Sequence, residues 1–116
     1  MAFLKGVKDE VWVHVTAVID GDLGKKIKVP FKAKFLKLTV DEAKAVSEKC
    51  AMGEMTDDDV IREHLLGWED LKGHKDEPVE FNDETLSEAL SAREYRVALV
   101  DAYMRVQFGR SFDAKN

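Results

Sequence analysis

The stretch VWVHVTAVIDGDLGKKIKVPFKAKF, residues 11–35, decides the fold class. Val11, Val13, Val15, Ala17 and Ile19 share one parity, and Trp12, His14, Thr16 and Val18 share the other. A strand repeats every two residues, so the odd positions make one continuous apolar face. Asp20, Gly21, Asp22 and Gly24 then break the run with turn chemistry. Ile27, Val29, Phe31, Ala33 and Phe35 resume an odd-numbered apolar face, with Lys28, Lys32 and Lys34 between them. The two segments predict an antiparallel hairpin with a longer loop. Pro30 has no amide hydrogen to donate, which predicts an open strand edge at that point. A lone hairpin is marginal in water, so helices or a second chain must cover its apolar face.

Downstream, the period changes. Thr39 with Glu42 three residues on predicts a capped helix from residue 40 to about residue 50, burying Ala43, Val46 and Cys50 and stopped by Gly53. Thr56 caps a second helix whose first turn holds Asp57, Asp58 and Asp59, where carboxylates favour the helix dipole. Val60, Ile61, His64, Leu65 and Trp68 continue as one apolar side, which extends this helix through Gly67. A polar loop follows over residues 71–80, with Val79 and Phe81 as a short extended piece. Asn82 caps a third helix over residues 83 to about 91, presenting Leu86, Ala89 and Leu90. A break at Ser91 or Ala92 leads to a last helix from Arg93 to about Phe108, with Val97, Val100, Tyr103, Met104 and Phe108 inward and Gly109 as its end.

The expected architecture is α+β: an N-terminal antiparallel β-hairpin packed against about four α-helices. An arm over residues 1–10, a single domain over residues 11–109 and a mobile tail over residues 110–116 complete it. At 116 residues, 45 % apolar and 35 % charged, the chain has material for one core. Net charge is −5, against a broadly basic nucleic-acid face. Cys50 is the one cysteine, so no intramolecular disulfide forms. Residues 1–10 lack the apolar stretch of a signal peptide, and no run approaches the roughly 20 apolar residues of a membrane span. The protein is expected to stay in the cytoplasm where it is made.

No catalytic constellation emerges. His14, His64, His74 and Cys50 have no zinc-site spacing, and the three aspartates lack the pattern of a calcium loop; a helix start accounts for them. Cys50 falls on a helix's buried side, where a thiol is inert packing. Ser47 and Ser87 lack a histidine partner, and Gly21 and Gly24 are turn residues, not a phosphate loop. No cofactor and no enzymatic activity are expected. Lys25, Lys26, Lys28, Lys32, Lys34 and Lys37 do concentrate charge near one strand, with Trp12 and His14 as rings on the same hairpin. Lysines also protect strand edges, and the acidic remainder opposes phosphate, so a solvated or partner-binding face is preferred over nucleic acid. Trp12, His14, Lys28, Lys32 and Lys34 are the candidate partner-binding residues. Trp68, Phe81 and Tyr103 are the candidate structural anchors.

Three segments together resemble the tail assembly chaperones of long-tailed phages and prophages: TDDDVIREHLLGWEDL (residues 56–71), EPVEFNDETLSEAL (residues 77–90) and VALVDAYMRVQFGR (residues 97–110), followed by Lys115-Asn116. VPFKAKFLKLT, residues 29–39, is similar to the strand before their first helix. The order helix, Gly-Trp pair, loop, PVxF, helix is the distinctive part, and the resemblance covers residues 29–116. It implies a protein encoded between the major tail tube protein and the tape measure protein. Such proteins bind the long helical tape measure, keep it soluble, help recruit tube subunits and are absent from the mature virion. A ribosomal frameshift commonly adds an extended form, and this chain would be the short one. The family has no catalytic residues to carry over. An apolar groove or sheet face with a charged rim suits such a client, and several copies, or a homo-oligomer, would act by avidity. Two rivals remain: a tail-completion or head–tail joining protein that stays in the particle, and a small nucleic-acid-binding regulator.

Overall fold

In the computed structural model, residues 4–109 of the chain are described. The elements are β1 (Glu10–Asp20), β2 (Lys26–Leu36), α1 (Val40–Ala51), α2 (Asp57–His64), β3 (Leu65–Glu69), α3 (Asp83–Ser91) and α4 (Arg93–Phe108). The fold is α+β: a three-stranded antiparallel sheet in the order β1-β2-β3, with four helices. The tail expected over residues 110–116, and the start of the expected arm, residues 1–3, lie outside the described residues.

The hairpin has the expected parity. Val15 opposes Phe31 and Val13 opposes Ala33, and Val15, Ala17, Phe31, Ala33 and Phe35 are buried. Continuing the same register past both ends of the ladder, Lys37 N–H donates to Asp9 O at 2.7 Å and Gly21 N–H donates to Lys25 O at 2.7 Å. Both pairs are odd-numbered. In an antiparallel ladder, hydrogen-bonded and non-bonded pairs alternate, so the even pairs turn their backbone groups away from each other. Pro30, opposite Thr16, therefore directs its missing donor away from β1. β3 flanks β2 only from Lys32 to Phe35, so Pro30 sits on an open edge, as its chemistry demands.

The second helix is shorter than its apolar stripe predicts. It ends at His64, and residues 65–69 form β3. Trp68, expected on a helix, is on a strand. The register slips there: Lys34 opposes Gly67 while Phe35 opposes Leu65, leaving Leu66 as the extra residue of a bulge. The bulge turns both Leu65 and Trp68 inward, and both are buried. A residue spacing of three, typical of helices, is here made by a kinked strand.

Local chemistry fixes the helix starts. Thr39–Glu42, Thr56–Asp59 and Asn82–Thr85 each form reciprocal capping boxes. Gly53 and Gly109 close α1 and α4 with φ of +78° and +75°, a conformation favoured by glycine. At Ala92 (φ −96°, ψ 116°) the chain leaves the helical region, which separates α3 from α4. α4 lies along β1 and receives α2 and α3 on its flank. Its buried residues are Ala98, Leu99, Ala102 and Tyr103. The expected inward stripe is thus rotated: Val97 and Phe108 are exposed, and Val100 and Met104 are half-buried. Ala98 and Ala102 put no bulk between α4 and the sheet, so the helix seats closely.

Candidate partner-binding surface

The even positions of the hairpin make the sheet's outer face. β1 contributes Trp12, His14, Thr16 and Val18, and β2 contributes Lys26, Lys28, Pro30, Lys32 and Lys34. Trp12 (46 % exposed) and Val18 (43 % exposed) are the large apolar groups on it. Trp12 opposes Lys34, and Lys34 Nζ lies 5.9 Å from the indole centroid, within cation–π range. His14 opposes Lys32 beside a shallow hollow of about 370 Å³ lined by Thr16, Pro30, Phe31 and Asp70. The structure thus brings Trp12, His14, Lys28, Lys32 and Lys34 onto one face.

Electrostatically the face differs from a lysine stripe. Lys34 pairs with Glu10 at 2.9 Å, and Lys32 with Asp70 at 3.1 Å and Glu69 at 3.7 Å. Lys26 pairs with Asp20. The hydrogen bond to Asp70 and its charge, then Glu69, raise the Lys32 ammonium above its ordinary range. The hydrogen bond from Lys26, with its charge, lowers Asp20 below the usual carboxylate range. Among the described residues Lys28 makes no ion pair, unlike Lys26, Lys32 and Lys34. Exposed pairs of this kind add little stability, but they cancel the field a nucleic-acid backbone needs. Sequence reasoning missed Glu69 and Asp70 because one ends and the other follows a third strand, most of which periodicity had assigned to a helix.

The anchors are packed. Trp68 Nε1–H donates to Val79 O at 2.8 Å, and its ring meets Phe81 edge-on at 4.9 Å and Phe31 at 6.4 Å. Phe81 is half-buried. The Tyr103 ring lies tilted against His64 at 5.4 Å and edge-on to Phe35 at 6.4 Å. His64, buried, directs Nδ1 to Val60 O at 2.7 Å. Among the described residues, Tyr103 Oη is the buried side-chain polar atom without a partner, and burial pushes its pKa up to about 12. Burial, then Asp57 and Asp59, likewise raise the Cys50 thiol, which suppresses the thiolate. Among the described residues no three His, Cys, Asp or Glu side chains gather as a metal site would require. No helix among them is long and apolar enough to cross a membrane.

A second surface feature went unread in the sequence. β1 is an edge strand, and a cleft of about 410 Å³ runs between its far half and α4, lined by Thr16, Val18, Asp20, Val97, Ala98 and Asp101, among others. The signal was available in the helical spacing of Glu94, Val97, Ala98 and Asp101, but the valine was assigned to the core. Comparison with protein-family models, curated proteins and solved structures finds no match.

Proposed function

We propose that this protein is a tail assembly chaperone of a long-tailed phage or prophage. It binds the tape measure protein, keeps it soluble in the host cytoplasm, helps recruit major tail tube subunits, and leaves before the virion matures. It catalyses no reaction and needs no cofactor. Its own frameshifted extended form, or further copies of itself, would share the client. The sequence segments that resemble such chaperones motivate this function. The observation that supports it best is the outer sheet face, where exposed Trp12 and Val18 stand among charges that are already paired. Such a face covers an apolar helical stripe without attracting polyanions, and Lys28 remains to guide an acidic helix face. The internal pairing of Lys26, Lys32 and Lys34 disfavours the nucleic-acid regulator.

Co-expression with the tape measure protein tests this. The client's soluble yield should rise, and the two should co-purify. Trp12→Ala together with Lys28→Glu should weaken co-purification while leaving the fold intact, because both side chains are exposed. A client that stays insoluble with both short and extended forms present ends the chaperone reading. Detection of the chain in purified virions favours the structural tail protein instead.

A further inference from the structure

The hairpin ends in a tight turn whose side chains the fold does not use. Arg93, the first residue of α4, reaches Asp20 at 3.5 Å, so the helix starts near the ladder's last pair, Asp20 and Lys26. Beyond that pair, Asp22, Leu23, Gly24 and Lys25 are all exposed. Leu23 is 100 % exposed, and its backbone is left-handed, with φ +57°. Glycine or asparagine takes that conformation with less strain, so leucine here adds both backbone strain and bare apolar surface. Ile27 is 54 % exposed, although it shares the inward parity of buried Phe31. The turn is closed by its own backbone: Gly21 N–H donates to Lys25 O at 2.7 Å, and Lys25 N–H to Asp22 O at 3.1 Å. Asp22 and Lys25 flank Leu23, and among the described residues neither makes an ion pair. The neighbouring Lys26 and Arg93 are both engaged by Asp20. An apolar knob with an unpaired acid on one side and an unpaired base on the other is self-complementary. Across a two-fold axis each acid meets the base of the other copy.

We propose that the hairpin turn is a self-association site, where Leu23 and Ile27 pack against the same residues of a second copy of this chain. Asp22 of each copy pairs with Lys25 of the other about a two-fold axis. Asp20 and Asp22 balance Lys25 and Lys26, so the turn offers no net attraction to a polyanion or an anionic membrane. The contact is small, hence weak, and it is populated where copies crowd together, as on one long client. It uses none of the outer-face residues assigned to the client, and it stands whether or not the client is a tape measure.

Sedimentation equilibrium of the chain alone, from micromolar to millimolar concentration, is the test. The chain should pass from monomer to dimer over that range. Asp22→Lys and Lys25→Asp should each weaken the dimer by at least about tenfold, because each sets like charges face to face. The double variant Asp22→Lys/Lys25→Asp should restore it, because the pairs re-form with their signs exchanged. Leu23→Asn should abolish the dimer yet melt no lower than the parent, since asparagine tolerates the left-handed backbone. A chain that stays monomeric at millimolar concentration overturns the proposal. So does a dimer that Leu23→Asn leaves intact, or one that the double variant fails to restore; either result puts the contact on another surface. A monomer whose Leu23 amide signal shifts only when the tape measure protein is added overturns it in favour of the client.

Discussion

α1 and α4 are held in opposite ways. α1 has a reciprocal capping box, acids in its first turn, a lysine in its last and a glycine after its end. Yet Ala43 is its one buried residue, with Val46 and Cys50 half-buried against the core. α4 has no side-chain cap, but it buries Ala98, Leu99, Ala102 and Tyr103 and is tied to the sheet by Arg105 and Gln107. Local signals therefore say where a helix starts, while packing says what the helix is worth to the fold.

The sharpest way to break that contrast is Leu99→Ala. Leu99 is fully buried, so the change should cost about 3–5 kcal/mol, read from chemical denaturation. A loss below about 1 kcal/mol would mean α4 is not the central helix.

Tyr103 gives the next effect, and it depends on pH. The folded state holds the phenol proton up to about 12, whereas the unfolded chain releases it near the ordinary value of 10.0. Between those values the folded state binds more protons, so this group's contribution is intact below pH 10 and is lost as pH rises toward 12. The loss amounts to about 2 kcal/mol. Tyr103→Phe should remove that part of the alkaline destabilisation. At neutral pH it should also raise stability by about 1 kcal/mol, because it deletes an unpartnered buried hydroxyl. Identical alkaline melts for the two proteins would contradict the burial of Oη.

α1 should respond more weakly and locally. Thr39→Ala removes the cap and should cost α1 about 1 kcal/mol, seen as faster amide exchange across Val40–Ala51 with little change in α4. Val40→Lys should move stability by no more than about 0.5 kcal/mol, since Val40 is 85 % exposed. Equal exchange protection in α1 and α4 would erase the contrast.

Much of this molecule was legible because its signals are local. Alternation in residues 11–35 marked the hairpin, and Thr39, Thr56, Asn82 and Gly109 marked helix ends that the structure reproduces. β3 was hidden because its bulge gives Leu65 and Trp68 the spacing of a helical stripe that Val60, Ile61 and His64 had already begun. Gly67 was the available hint, since a glycine within a strand often accompanies a bulge. The face of α4 was misread because its seat on the sheet uses alanines, which carry less hydrophobic signal than the valines beside them. For the candidate surface, the even strand positions were readable, but their counter-ions were not. Glu69 and Asp70 meet Lys32 only through a strand pairing that no short window of sequence contains.

Arg105 and Gln107 have a consequence for how the chain is made. The Arg105–His14 bond joins residues 91 positions apart, and Gln107 clasps both Leu36 O and Leu38 N across 71 and 69 positions. Until α4 leaves the ribosome, the hairpin's inner face lacks the helix that lies along β1. Loop closure over such separations slows folding, and the first strand synthesised is sealed by the last helix. Completion of the native core therefore waits for α4 and is reserved for chains synthesised as far as this glutamine.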